Sequence, residues 1–451
     1  MAKITLSQAA AWCGGQVNEA YADLTFEGAC GDHRWVRPGE LFVALDQSEG
    51  LSERIQVAMD RGAVAVLTGR HTDLYPCIVA LDPRIAVGDI ARQVRKRIGM
   101  KVVGVTGSLG KTTVTEMIAC VLEGTYRVST TYSNQFEDIG VPIAILSMAE
   151  DTQVAVLEMG MIHFRDIAYL TSIACPDVAV ITNVDDTTKE AERWNRETLL
   201  RAKLEILEGM REDGVVILNG DDDLLWKQRN MSHLAHSYYA THNPEAEMQA
   251  VDVQKEDNLH LFRASQGNLS FLVELNMEEE FGVSDSLAAI AVGLHMGVPA
   301  DAIQERLSHF RNKEAAPTEQ VVEGYTIIDD CRSAGPLSMK KALQALGKRS
   351  GRKIAVLGDM LELGVCTQAE HYRVGRFAAE NADVVLAYGP NAERTISGAI
   401  TGGMDPRKAT AYTDAGGLVL RLKNIVKEGD VVLFKGGRSV HMERVLESFL
   451  K

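Results

Sequence analysis

Basic residues are in deficit: 47 Lys and Arg stand against 62 Asp and Glu in 451 residues, a formal net charge of −15. Recognition of nucleic acid depends on clustered Lys and Arg neutralising phosphates, and no such cluster stands out, so a polyanion-binding protein is not expected. Cysteine is sparse and unpatterned. The seven thiols (Cys13, Cys30, Cys77, Cys120, Cys175, Cys331, Cys366) are odd in number and include no Cys-x-x-Cys pair, which fits small buried residues of a reducing compartment rather than a disulfide framework. No run of eighteen apolar residues occurs, and Met1–Gln8 carry no apolar signal core, so the expectation is a cytoplasmic protein without membrane insertion. Internal repeats and low-complexity tracts are also missing. The length exceeds what one core supports, and at ~100–200 residues per domain it predicts two to four domains.

What is present begins with Gly104-Val-Thr-Gly107-Ser108-Leu-Gly110-Lys111-Thr112-Thr113. An apolar strand-like segment, Val102–Val105, precedes it, and Val114, Met117, Ile118, Val121 and Leu122 follow at helical spacing. Strand, glycine-rich loop and helix are the setting of a phosphate-binding loop. Gly107 and Gly110 let backbone N–H groups curl round an anion at the positive end of the helix, Lys111 reaches the outer phosphates, and Thr112 can ligate Mg²⁺. The strict pattern asks for glycine where Val105 stands.

The fold class predicted is α/β in three parts. Residues 1–98 alternate short strands such as Glu40–Leu45 and Ala63–Leu67 with helical stretches, a modest α/β module. Residues 99–312 contain Val154–Glu158, Val178–Asn183 and Gly214–Asn219, apolar runs ending in polar residues, as expected of a mostly parallel sheet with ligand-facing groups at its carboxyl edge. Residues 313–451 repeat the pattern in Thr326–Asp330, Ile354–Leu357, Val384–Ala387 and Val431–Phe434, a separate doubly wound unit. The acidic run Glu278–Glu280 reads as a solvated loop or strand end.

Taken singly, the remaining polar residues leave two readings each. Glu158 ends a strand on the edge of the phosphate loop and could complete a Mg²⁺ site with Thr112, or serve only in a salt bridge. Lys203 sits on a helical segment as a ligand or a solvated cation. Asn219-Gly-Asp221-Asp222 follows a strand as a base-binding loop or a plain turn.

In sequence order, the phosphate loop, Asp138–Pro142, Glu158-Met-Gly160, Ala202-Lys203-x-Glu205, Asn219–Asp222, Ile328–Asp330 and Gly358-Asp359-Met-Leu-Glu362-Leu-Gly364 resemble the Mur ligases of peptidoglycan synthesis. The likeness runs from Pro38–Ala44 to Phe434-Lys435-Gly436. It implies an N-terminal domain for a UDP-muramoyl-peptide-like acid, a central ATPase domain and a C-terminal Rossmann-like domain. The implied chemistry is ATP-driven: the acid is phosphorylated on its carboxylate, and a D-Ala-D-Ala-like amine displaces phosphate to form an amide. By position, the resemblance assigns Gly107, Ser108, Gly110, Lys111, Thr112, Thr113, Asn219 and Asp330 to the nucleotide. Thr112 and Glu158 go to Mg²⁺, Lys111 is catalytic, and Lys203 is the lysine carbamylated in the family, a further aid to metal and catalysis.

Departures from the family pattern accompany these matches. No histidine lies between His163 and His233, where the family has a metal-binding one after Ile181-Thr-Asn183. Glu158-Met-Gly-Met-Ile162-His163 and Arg165-Asp166-Ile167 replace Glu-Met-Gly-x-Asn-His and Gly-Glu-Ile. Phe281-Gly282 replace His-Asn, Glu319 stands where an arginine is usual, Asp330-Cys-Arg332-Ser333 replaces Asp-x-Tyr-Asn, and Gln47-Ser-Glu replaces an Asp-Gly-His stretch. Three readings therefore stand open. They are a D-alanyl-D-alanine-adding ligase, an amide ligase for other substrates, and a catalytically impaired nucleotide-binding paralogue with a protein partner.

Overall fold

The structure is a computed structural model and describes residues 3–45, 50–71, 74–131, 139–185, 194–230, 234–256, 258–277, 281–310, 317–331, 334–360, 363, 366–437 and 440–451. Of the features named above, Gln47, Asp138, the segment 186–193, Glu278–Glu280, Arg332, Ser333, Glu362 and Gly364 lie outside the described residues. The chain divides into two compact units, residues 1–310 and 311–451. Both are α/β with mainly parallel sheets, as the apolar runs predicted.

The first unit is built round a nine-stranded sheet. Its parallel part runs Val128–Thr130, Val154–Glu158, Lys101–Thr106, Val178–Ile181, Val215–Asn219, Ala235–Ala240 and Met248–Glu256. Leu259–Gln266 and Leu269–Asn276 extend it antiparallel. The inner strands are buried along their length because helices cover both faces, which is why they read as unbroken Val, Ala, Ile and Leu. The outermost strand, Leu269–Asn276, alternates exposed and buried positions as a one-sided strand does.

A five-stranded sheet lies in the same unit: Gln16–Val17, Cys77–Val79, Ala65–Thr68, Leu41–Val43 and Ala29–Cys30. One hydrophobic core joins the two sheets through the helix Pro83–Ile98, whose Val87, Ile90 and Val94 pack in the same cluster as Ile145, Leu170 and Ile173. Gly88 makes the close approach possible. A Cβ there would lie 2.9 Å from Ile173 Cδ1 and would overlap the Tyr169 hydroxyl, which donates to Arg84 O at 2.6 Å. Arg95 then donates to Ala174 O (2.8 Å) and Cys175 O (2.9 Å), satisfying carbonyls at the C-terminus of the helix Asp166–Ala174.

Two acids of the sequence motifs hold local structure in this unit. Glu205 is buried and accepts from the backbone N–H of Arg165 (2.9 Å) and Ala168 (3.1 Å), so its carboxylate caps the N-terminus of the helix Asp166–Ala174. Asp221 accepts from Thr241 N and Oγ1 (2.6 Å each), His242 N (3.0 Å) and Asn243 N (2.9 Å), pinning the turn after Ala235–Ala240 to the turn after Val215–Asn219. Burial works to raise the Asp221 carboxyl, but the Thr241 hydroxyl and these N–H donors outweigh it and hold the group below its ordinary value.

The second unit carries a six-stranded sheet in the order Thr318–Val322, Tyr325–Asp330, Val431–Lys435, Lys353–Gly358, Val384–Tyr388 and Ala409–Tyr412, with only the first pair antiparallel. Its two faces are covered by separate clusters: Met339, Leu343 and Val374 on one side, Leu418, Leu422, Val445 and Phe449 on the other.

Glu205→Ala is expected to destabilise the protein by about 1–3 kcal/mol, the cost of leaving one buried and one part-buried N–H donor unpaired, with Glu205→Gln recovering part of it. Chemical denaturation measures both. For Asp221, a depressed folded value means that its stabilisation is present above the unfolded carboxyl value near 3.9 and is lost as the pH falls through the folded one. Asp221→Asn is therefore expected to lower stability at pH 7 by roughly 1 kcal/mol for a partly exposed group, and the gap to wild type to close below about pH 4. Thermal melts at pH 7 and pH 3 read the difference.

Candidate functional site

The site grows from three adjacent strand ends. Parallel register sets Val105 beside both Glu158 and Val180, and Thr106 beside Ile181, so the residues that follow meet at one sheet edge. Gly107, at φ +148°, turns the chain out of the strand, and a Cβ there would overlap Thr182 Oγ1. Thr182 and Asn183 brace the loop from beneath: Ser108 N donates to Asn183 O (3.0 Å), Leu109 N to Asn183 Oδ1 (2.8 Å), and Thr182 Oγ1 and Asn183 Nδ2 both donate to Leu109 O (2.6 and 3.0 Å). Gly110, at φ +78°, begins the helix Lys111–Leu122 with no side-chain cap, which leaves the first-turn N–H groups for an anion.

Lys111 Nζ donates to Gly107 O (3.0 Å) and Ser108 O (3.2 Å), so its ammonium lies over the loop it serves. Thr112 Oγ1 donates to Glu158 Oε2 at 2.9 Å. Glu158 is buried, and its N–H donates to Thr131 Oγ1 (3.1 Å). A hydroxyl and a carboxylate at this spacing, beside a phosphate loop, form a hard-oxygen set of the kind Mg²⁺ takes with phosphate oxygens and water. The residues present thus fit a magnesium nucleotide. Thr113 is half-buried in the first turn of the helix, and the buried Ser108 accepts from Asp185 N through its hydroxyl (3.1 Å).

Asp285 is a member of this neighbourhood that sequence reading missed. It is buried on the helix Gly282–His295, and a Cβ on Gly110 would lie 2.9 Å from its Oδ1. The signal for it, an acid near the start of an Ala-rich helix, is too common to single out. Thr182 and Asn183 had a better one, since they end the strand next to the loop strand.

Lys203 lies on the helix Arg196–Leu204 and has no solvent exposure, one of the largest fully buried side chains in the protein. Arg196 ties the first turn of that helix to the site's strand end by donating to Val184 O (2.9 Å). Asn219 ends its strand with both amide atoms engaged: Nδ2 donates to Thr182 O (2.9 Å), and Oδ1 accepts from Asp221 N (2.9 Å). Asp222 caps the short helix Asp223–Trp226 and accepts from Val184 N (2.8 Å). The Asn219–Asp222 motif therefore buttresses the loop's support.

Elsewhere in this unit an open cavity of about 810 Å³ lies between the helix Leu51–Asp60 and the end of the strand Ala65–Thr68, with Ser52, Gln56, Thr68, Arg70, His71 and Tyr75 on its walls. In the second unit, Asp330 ends its strand and accepts from the buried Lys435 Nζ at 3.0 Å across the parallel register. Asp359, also buried, accepts from Asn391 N (2.9 Å) and Nδ2 (2.8 Å). Nearby, His371 accepts from Met360 N at Nε2 (3.0 Å) and so carries its proton on Nδ1, donated to Thr367 O (2.8 Å). Glu319 is ion-paired to Arg349, so its charge is balanced in place.

The sequence matches the Mur ligase middle domain over residues 105–293 and the Mur ligase, glutamate ligase domain over residues 317–438. It is 33% identical to the UDP-N-acetylmuramoyl-tripeptide–D-alanyl-D-alanine ligase of Bacillus subtilis, over 97% of this chain and 96% of that one. The ligase of the same name from Escherichia coli is 30% identical over 99% and 98%. Among solved structures, MurF from Acinetobacter baumannii superposes with a TM-score of 0.68 at 25% identity, covering 100% of this chain and 99% of the other. MurF ligase from Thermotoga maritima, in complex with ADP, gives 0.58 at 26% identity over 94% and 97%. With two family domains matched and likeness over the full length, the chain belongs to the Mur ligase family.

Proposed function

We propose that the protein is a cytoplasmic, ATP-dependent ligase that joins the terminal carboxylate of a UDP-N-acetylmuramoyl-tripeptide to the amine of D-alanyl-D-alanine in peptidoglycan synthesis. The observation that carries the proposal is the Thr112–Glu158 pair beside Lys111 at the mouth of an uncapped helix. The full-length relatives carry the substrate identity. Residues 1–98 are assigned to the UDP-sugar acid, 99–312 to ATP and 313–451 to the C-terminal ligase domain. No helix among the described residues is long and apolar enough to cross a membrane.

The chemistry follows from what each partner lacks. A carboxylate is a poor electrophile, and an oxide a poor leaving group. Transfer of the γ-phosphoryl of ATP to a carboxylate oxygen releases ADP and gives an acyl phosphate. The amine nitrogen then forms the C–N bond, the C–O bond to phosphate breaks, and the amine gives up a proton. The loop N–H groups and Lys111 hold the phosphates in line, replacing water with fixed donors, an electrostatic contribution made before reaction. Thr112 and Glu158 would hold Mg²⁺, which supplies charge neutralisation on the transferring group.

Lys203 is assigned to the site as a lysine N-carboxylated by CO₂. Its side chain has no solvent exposure, and carboxylation would turn the ammonium into an anionic oxygen ligand. Asn219 and Asp330 are assigned to the nucleotide. Asn219 reaches it through the strand end it organises, and Asp330 through a carboxylate already steered by Lys435.

A reading as a nucleotide-binding paralogue serving a protein partner draws on Phe281-Gly282 and Glu319, which depart from the family's His-Asn and Arg. Against it, Arg349 already neutralises Glu319, which removes much of the penalty that an unpaired acid near polyphosphate carries.

Purified protein with ATP, Mg²⁺, UDP-N-acetylmuramoyl-tripeptide and D-Ala-D-Ala is expected to release phosphate only when all four are present. ATP binding by folded protein without release would establish the paralogue reading instead. Lys203→Ala is expected to lower kcat by about 10- to 100-fold, on the scale of losing a metal-orienting group, with ATP affinity little changed. Unaltered turnover would remove Lys203 from the site.

A further inference from the structure

In linear sequence no basic cluster stood out, yet folding of the second unit assembles one. Arg352 precedes and Lys353 opens the strand Lys353–Gly358, Arg407 and Lys408 lie in the turn Pro406–Lys408 before the edge strand Ala409–Tyr412, and Arg421 projects from the helix Ala415–Ile425. All five line one open cleft of about 540 Å³, with Asp383 the single acid on its wall among the described residues. In a chain of net charge −15 this is a local reversal of sign. The sequence hid it because the five residues come from three segments brought together only by the parallel sheet.

The charges are unevenly compensated. Arg352 is balanced by the buried Asp430 (3.6 Å), Lys353 by Asp383 (3.5 Å) and Arg407 by Asp405 (2.7 Å). Lys408 and Arg421 have no acidic oxygen within 4 Å among the described residues. The cleft therefore carries three ion-paired cations, Lys408 in the field of the Asp405 carboxylate without a direct pair, and Arg421 with no direct ion pair among the described residues. Val384 and Ile425 supply an apolar wall beside them.

We propose that this cleft is a binding site for a phosphorylated small molecule, separate from the nucleotide loop. The guanidinium of Arg421 offers a planar fork suited to phosphate and Lys408 adds a point charge, while Arg352 and Arg407, whose own acids already engage them, line the wall beside them. The volume is that of a small-ligand pocket, and the apolar wall suits an organic portion carried with the phosphate. An extended polyanion fits less well: outside the cleft the chain is acidic, and the field of these cations fades within a screening length of about 8 Å at physiological salt. The cleft also lies at the opposite end of its strands from Asp330 and Lys435. Lys353–Gly358 spans roughly 16 Å at about 3.3 Å per residue, so the cleft is not a lobe of the carboxyl-edge site.

Calorimetric titration of the full-length protein with inorganic pyrophosphate, without Mg²⁺, tests this. Lys111→Ala is expected to retain one binding event, and Lys408→Ala/Arg421→Ala to weaken that event tenfold or more. Both side chains are exposed and make no direct ion pair among the described residues, so the double variant is expected to melt with wild type. Lys408→Arg/Arg421→Lys, which keeps the charge, is expected to restore binding. Loss of all pyrophosphate binding in Lys111→Ala, or no change in the double variant, overturns the proposal. So does adhesion to phosphatidylglycerol vesicles through Lys408 and Arg421 without pyrophosphate binding, which would make the patch a membrane-facing surface.

Discussion

The close approach of Gly107 to Thr182 is the contact on which the first unit's chemistry rests. Three parallel strands end in register, and the chain leaves the middle one through a residue that has no room for a Cβ. That turn lets Thr182 and Asn183 bond the loop from below, and the loop in turn delivers an uncapped helix start and Lys111 to the sheet edge. Glu158 arrives at the same edge because its strand is paired residue for residue with the loop strand. The hydrogen bond to Thr112 is a consequence of the ladder.

Around this centre several carboxylates, buried or partly so, are committed to backbone. Glu205 caps a helix, Asp222 caps another and steadies Val184, Asp221 gathers three N–H groups from a neighbouring turn, and Asp359 holds Asn391 at the start of the helix Ala392–Thr401. Each spans two strand-end turns or a turn and a helix. Glu158 differs from these acids in meeting a side-chain hydroxyl, that of Thr112, and Asp330 in meeting the Lys435 ammonium. Asp285, set against Gly110, adds a second carboxylate to the loop's surroundings.

Much of this was legible because it is local. The phosphate loop is written in consecutive residues, and the strands Val154–Glu158, Val384–Tyr388 and Val431–Lys435 show themselves as apolar runs because both of their faces are covered. What was illegible depends on distant partners. Asn219–Asp222 reads as a base-binding loop or a plain turn, and nothing in it announces that the donors to Asp221 come from Thr241–Asn243, after the neighbouring parallel strand. The shared core of residues 4–246 rests on Gly88 letting one helix touch another, a contact that no periodicity announces. The basic cleft of the second unit was invisible for the same reason, its cations being scattered among acids until the sheet collects them.

Calorimetry of ATP binding with and without Mg²⁺, in wild type and Glu158→Gln, addresses the central claim most directly. If Glu158 and Thr112 form the metal-bearing edge of the phosphate site, Mg²⁺ tightens ATP binding to wild type, and Glu158→Gln loses about tenfold or more of that gain while its metal-free affinity is kept or improved. An equal response to Mg²⁺ in both proteins would contradict the account.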